Sequence, residues 1–181
     1  MRVMRHAILA VNVQYDHYSP KGALGYPGSP VATIHIADLL RQPGNPLIIA
    51  ARKMRTQEDL SFLAHGGKYK PHCLKGTKGA NLLPELTHAD YITTTAGLSA
   101  FEGGTLRPLK TLEEILKEQK QTIASITVCG YYLEDDVAQT AFDSNALGYT
   151  TYVYLPACQT YTGAPSPATV ERLERAGVVV R

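Results

Sequence analysis

Tryptophan is absent from the 181-residue sequence, and phenylalanine, methionine and cysteine occur only three times each. Neither charge sign dominates: 18 lysines and arginines stand against 16 acidic residues, a formal net charge of +2, with the two signs interspersed. That balance leaves no electrostatic footprint for nucleic acid. No apolar run approaches the roughly twenty residues of a membrane-spanning helix, so no membrane partner is expected. Cys73, Cys129 and Cys158 form no even disulfide framework and lack metal-type spacing. The histidines include no closely spaced ligand pair, so neither a metal nor a cofactor is expected. The basic Met1–His6 stretch leads into an apolar run that turns polar at Asn12 and Gln14, with no small-residue cleavage site; it reads as a first strand and not as a signal peptide. A reduced, cytoplasmic setting is the expectation.

What the chain does contain is short apolar runs separated by helical patterns. Ala7–Val13, Pro46–Ala51, Tyr91–Thr94, Ile126–Cys129, Thr150–Leu155 and Val178–Val180 are rich in Val, Ile, Thr and Tyr, as suits the buried strands of a parallel sheet. Between them, a helix over Val31–Leu40 follows the entry pair Ser29-Pro30, and one over Leu112–Lys120 follows Thr111 with Glu113 and Glu114 in its first turn. Two more, Asp136–Leu147 and Thr169–Ala176, stop at Gly148 and Gly177. Strand–helix alternation predicts an α/β fold with a doubly wound sheet, and the length suits a single domain over 1–181. Functional groups are then expected at the carboxyl ends of the strands, where Asn12, Asp16, Thr95, Asp136 and the Pro71–Gly79 loop converge.

Five blocks in order carry a family resemblance. Ala7 to His17 reads A-I-L-A-V-N-V-Q-Y-D-H, Lys70 to Leu86 reads K-P-H-C-L-K-G-T-K-G-A-N-L-L-P-E-L, and Ser99-Ala100-Phe101 follows. Val128 to Ala141 reads V-C-G-Y-Y-L-E-D-D-V-A-Q-T-A, and Ala146–Tyr149 through Pro156-Ala157-Cys158 completes the set. Together they resemble the isochorismatase-like cysteine hydrolases, nicotinamidases included. The resemblance implies three layers around six mainly parallel strands in the order 3-2-1-4-5-6, and a homo-oligomer, dimeric or tetrameric. It also implies a triad of aspartate, lysine and cysteine, whose places fall here on Asn12, Thr95 and Asp136. An amide has no basicity to accept a thiol proton. A carboxylate is a poor nucleophile toward an amide, because its acyl product is an anhydride. Losing triad members leaves little beyond binding. The expectation is a catalytically inactive pseudoenzyme that binds a small planar ligand or a protein partner.

Two alternatives stay open: a hydrolase of altered mechanism on C–N or similar bonds, using Asp136 and His72, and a structural or assembly protein with a vestigial pocket. In nicotinamidases, an aspartate and a histidine after the second strand join a histidine in P-H-C to hold a metal. The resemblance puts Met54 and Thr56 at the first two places and leaves His72 alone. Asp16, Tyr69, His72, Phe101, Tyr131, Tyr132 and Asp136 form the expected ligand-binding set. The family turn at Tyr131-Tyr132 often carries a cis peptide at an oxyanion site, which two bulky tyrosines are expected to crowd. Glu134, Asp135 and Asp136 also read as an ordinary acidic first helical turn that caps free N–H groups. All three cysteines read as buried and inert.

Overall fold

The computed structural model describes residues 5–25, 29–104, 109–119 and 123–181. The start of the basic Met1–His6 stretch and the expected helix end at Lys120 lie outside them. Six strands, β1 (Arg5–Val11), β2 (Leu47–Lys53), β3 (Tyr91–Thr95), β4 (Ile123–Tyr131), β5 (Thr150–Gln159) and β6 (Val179–Val180), form one sheet in the order β3-β2-β1-β4-β5-β6. All five pairings are parallel. The continuous apolar run of β1 follows from its place at the centre: Ala7 to Val11 are each at most 1% exposed, because both faces of a parallel sheet are covered.

The helices are α1 (Tyr15–Tyr18), α2 (Ser29–Leu40), α3 (Leu112–Gln119), α4 (Ala138–Ala146) and α5 (Pro167–Arg175). In α3, Leu112, Ile115 and Leu116 are buried on one face. The Thr111 hydroxyl accepts from the Glu114 amide at 3.2 Å while Glu114 accepts from the Thr111 amide at 2.8 Å, a reciprocal cap. No helix among the described residues is long and apolar enough to cross a membrane.

Three departures from the sequence reading shape the functional end of the sheet. β1 stops at Val11 because Asn12 takes a left-handed φ of 52° and turns the chain. β4 continues through Cys129 to Tyr131, and the register with β5 jumps between Val128 and Gly130, so that Cys158 and Gln159 lie beside Gly130 and Tyr131. At Gly130, φ is 127° and a Cβ would collide with the Val11 carbonyl, so glycine alone permits this approach of β4 to β1. Helix α4 begins not at Asp136 but after a wide π-turn over Leu133–Val137.

Candidate functional site

The carboxyl ends of β1, β2 and β4 enclose a cavity of about 220 Å³. Gln14, just past β1, fixes the end of β2 with two bonds and the Ala80 segment with a third. Its side-chain amide donates to the Lys53 and Ala80 carbonyls at 2.7 and 3.0 Å, and its oxygen accepts from the Lys53 amide at 2.8 Å. Side chains alternate along an extended strand. Lys53 and Arg55 therefore both face the cavity, while Met54 and Thr56 line a neighbouring one with Thr95 and Lys75.

The Lys53 ammonium forms a buried ion pair with Asp136, the two side chains being 7% and 9% exposed. Burial pushes the Asp136 carboxyl above its ordinary value, and the Lys53 charge and the Asn12 amide act against that rise. Asn12 also donates to the Tyr131 carbonyl at 3.1 Å, and its own oxygen is buried without a hydrogen-bond partner among the described residues. Arg55 is held by Asp59 at 2.6 Å and the Ser61 hydroxyl at 2.8 Å. Each cation of the cavity is thus matched by one carboxylate.

Two histidines line the same space. The His72 Nδ1 lies 2.8 Å from the Lys70 carbonyl. A carbonyl only accepts, so Nδ1 carries the hydrogen and Nε2 keeps a free lone pair in the neutral ring. Burial lowers the His72 pKa to about 4, against the opposing pull of the Lys70 bond. His17 is 3% exposed, and neither ring nitrogen has a hydrogen-bond partner among the described residues. Burial first, then the charges of His72, Lys53 and Arg55, hold it well below the ordinary histidine range. The two rings meet edge to face at 5.5 Å. Tyr132 stacks on Tyr161 at 4.5 Å and donates to the Leu24 carbonyl at 2.6 Å, while Tyr69 packs its ring against His72 at 5.7 Å.

Of the expected set, Tyr69, His72, Tyr132 and Asp136 line the cavity. Asp16 does not: its carboxylate accepts from the Ala23 and Cys73 amides at 3.0 and 2.7 Å and so ties two loops together. Phe101 lies on the far side, beside Leu116, Leu147 and Tyr149. Tyr131 is fully buried in the core, where its carbonyl accepts from Asn12 and its ring packs against His17 at 6.1 Å. Glu134, Asp135 and Asp136 do form the acidic first turn, but their main partners lie outside the helix. Neither the π-turn nor α4 has a side-chain cap; Glu134 and Asp135 bond Tyr161 instead, and Asp136 is paired with Lys53. The expected crowding is also corrected: the Tyr131-Tyr132 peptide is cis, one ring enters the core and the other forms a wall. The pair facing the cavity beside His72 is Lys53 and Arg55, one residue before each expected position.

Lys53, Arg55, His17 and Tyr161 were not legible as site residues. A Lys-x-Arg pair closing an apolar run was the available signal for the first two. None existed for His17, in a four-residue helix, or for Tyr161, whose hydroxyl bonds Asp135 from 26 positions away at 2.6 Å. Cys73 and Cys129 are buried with thiols pushed up to about 12, burial also raises the Cys158 thiol well above its ordinary value, and none of the three lines the cavity. Among the described residues, no group of three or more His, Cys, Asp or Glu is arranged to hold a metal ion.

The model of the isochorismatase domain matches residues 6–181. The pyrazinamidase of Pyrococcus horikoshii, solved in complex with zinc, is 24% identical with a TM-score of 0.84 over 98% of both chains. PnC1 from L. infantum, solved with nicotinate, is 21% identical with a TM-score of 0.86 over 100% of this chain and 95% of its own. The nicotinamidase/pyrazinamidase of Acinetobacter baumanii is 23% identical with a TM-score of 0.78, over 99% and 97%. At these identities, the likeness carries the fold. None of the curated proteins matches the sequence.

Proposed function

The chain belongs to the isochorismatase family, and from that premise we propose that it binds a small planar ligand without running the family's thiol chemistry. The observation that carries the reading is the Lys53–Asp136 ion pair, which stands where the resemblance places the nucleophile. Asn12, at the base position, bonds the Tyr131 carbonyl and cannot take up a proton. No thiol reaches the cavity, and the buried cysteines hold their protons. The cavity itself is open, which disfavours a purely structural role with a tyrosine-filled pocket. At about 220 Å³, it is smaller than the roughly 300 Å³ at which drug-sized pockets begin, and so suits a single ring. Tyr69, Tyr132 and Tyr161 supply aromatic walls, and the neutral imidazoles of His17 and His72 supply hydrogen-bonding groups. Since both cations are already matched by carboxylates, a neutral ligand fits better than an acid.

The zinc of the Pyrococcus structure finds no counterpart in this donor set. His72 has Lys53 and Arg55 for neighbours, and cationic side chains offer a divalent ion no lone pair. The test pairs binding with turnover. Nicotinamide, pyrazinamide and nicotinate are titrated by calorimetry, and ammonia release is followed under the same enzyme load. The amides are expected to bind more tightly than the acid, with release at background. Ammonia release that Asp136→Ala abolishes would overturn the reading and make Asp136 a catalytic residue.

A further inference from the structure

Lys53 is the only lysine on the described cavity wall. Its amine is almost completely withdrawn from water, touches a carboxylate, and shares its face of the chain with the second cation Arg55. A lysine withdrawn from water, with a carboxylate in contact to take its proton and later return it, has the parts an ε-amine needs to attack a carbonyl. We infer that the pocket captures aldehydes or ketones carried on a single planar ring, by forming an imine between Lys53 Nζ and the carbonyl carbon. This rests on the ligand-binding reading above and names the class of ligand.

The step balances with the groups present. The Lys53 ammonium passes a proton to Asp136, and the freed lone pair attacks the carbonyl carbon. The C–N bond forms as the C=O π pair moves to oxygen, which takes the proton from Asp136. Nitrogen then returns a proton to Asp136, and the hydroxyl departs with it as water, leaving a protonated C=N bond. Ammonium plus carbonyl have become iminium plus water, with no oxidant or reductant. The positive charge stays on the same nitrogen, so the ion pair with Asp136 survives the reaction. Burial, which raises the carboxyl's proton affinity, assists its part as shuttle. His17 and His72 line the same cavity as neutral hydrogen-bonding groups for the intermediate hydroxyl.

The experiment incubates the protein with pyridine-3-carboxaldehyde and sodium cyanoborohydride and maps reduced adducts by peptide mass spectrometry. Labelling of Lys53 is expected to run about tenfold or more ahead of the exposed Lys21, Lys68 and Lys117. Pyridine-3-carboxamide, which forms no imine, should slow it by competition. Asp136→Asn should cut the rate of capture and shift its pH profile. Lys53→Arg should abolish the pocket adduct. Since stripping one partner from a buried pair is strongly destabilising, the double change Lys53→Met/Asp136→Leu provides a second adduct-free control. Labelling of wild type confined to exposed lysines, or no faster at Lys53, overturns the inference whatever the variants do. If the carboxamide raises the melting temperature while Lys53 stays unlabelled, imine capture fails and the binding reading stands. If neither compound engages the pocket, both fail.

Discussion

His72 shows how a single buried side chain couples this site to pH. Its imidazole is 2% exposed and its pKa lies at about 4, against 6.5 for an unperturbed ring. Between those values the unfolded chain binds more protons than the folded one, so stability rises with pH across that window and falls on acidification. The difference corresponds to about 3 kcal/mol when the shift is fully expressed. His17 acts in the same direction, and Asp136, whose carboxyl is raised, acts against both at the acid end. Urea unfolding at pH 7 and pH 4.5 is expected to show the loss, and His72→Gln should flatten the pH slope. An unchanged slope in that variant would mean that the ring is already charged in the folded protein. Lys53 and Asp136 meet in the same interior as an ion pair.

Secondary-structure ends, more than their middles, build the pocket. The π-turn over Leu133–Val137 widens the entry to α4 and turns Asp136 inward. The left-handed Asn12 stops β1 just before the site. Gln14 then sets the last residue of β2 by bonding both of its backbone polar groups, and reaches the Ala80 loop as well. Gln14→Ala would leave these buried groups without partners, at a cost of about 2–4 kcal/mol. Chemical denaturation should register that loss, together with weaker amide binding as Lys53 loses its fixed position. A variant as stable as wild type would show that water takes over the amide's role. The short α1 works by the same logic, since tethering through Asp16 to Ala23 and Cys73 holds His17 under the pocket.

At the scale of the whole molecule, the sheet order places β1 and β4 side by side at the centre, and the pocket opens at their shared end. The outer surface carries Val31 and Ile34 on α2, 58% and 60% exposed and three residues apart on one helical face. Family resemblance implies association, and such a face suits contact between copies. Light scattering at micromolar concentration is expected to give a dimer or tetramer, and Val31→Glu with Ile34→Lys to lower the mass if that face is used. A monomeric wild type would remove the expectation.

Fold and family were legible because their signals are local. A buried parallel strand needs a continuous apolar run, and a helix end needs its glycine or its cap; Ala7–Val11, Thr111–Glu114 and Gly177 carried those requirements in the order of the chain. Asn12 and Asp136 were legible as residues just past strand ends for the same reason, each following its own apolar run. Which side chains face the cavity was decided elsewhere. Reading the end of β2 one residue out exchanges its two faces, and this put the two ligand places implied by the resemblance on Met54 and Thr56 while Lys53 and Arg55 face the cavity. The pairing of Lys53 with Asp136 joins the end of β2 to the turn after the non-adjacent β4, and that of Asp135 with Tyr161 joins the same turn to a distant loop. Such contacts depend on sheet order and register, which no window of neighbouring residues contains.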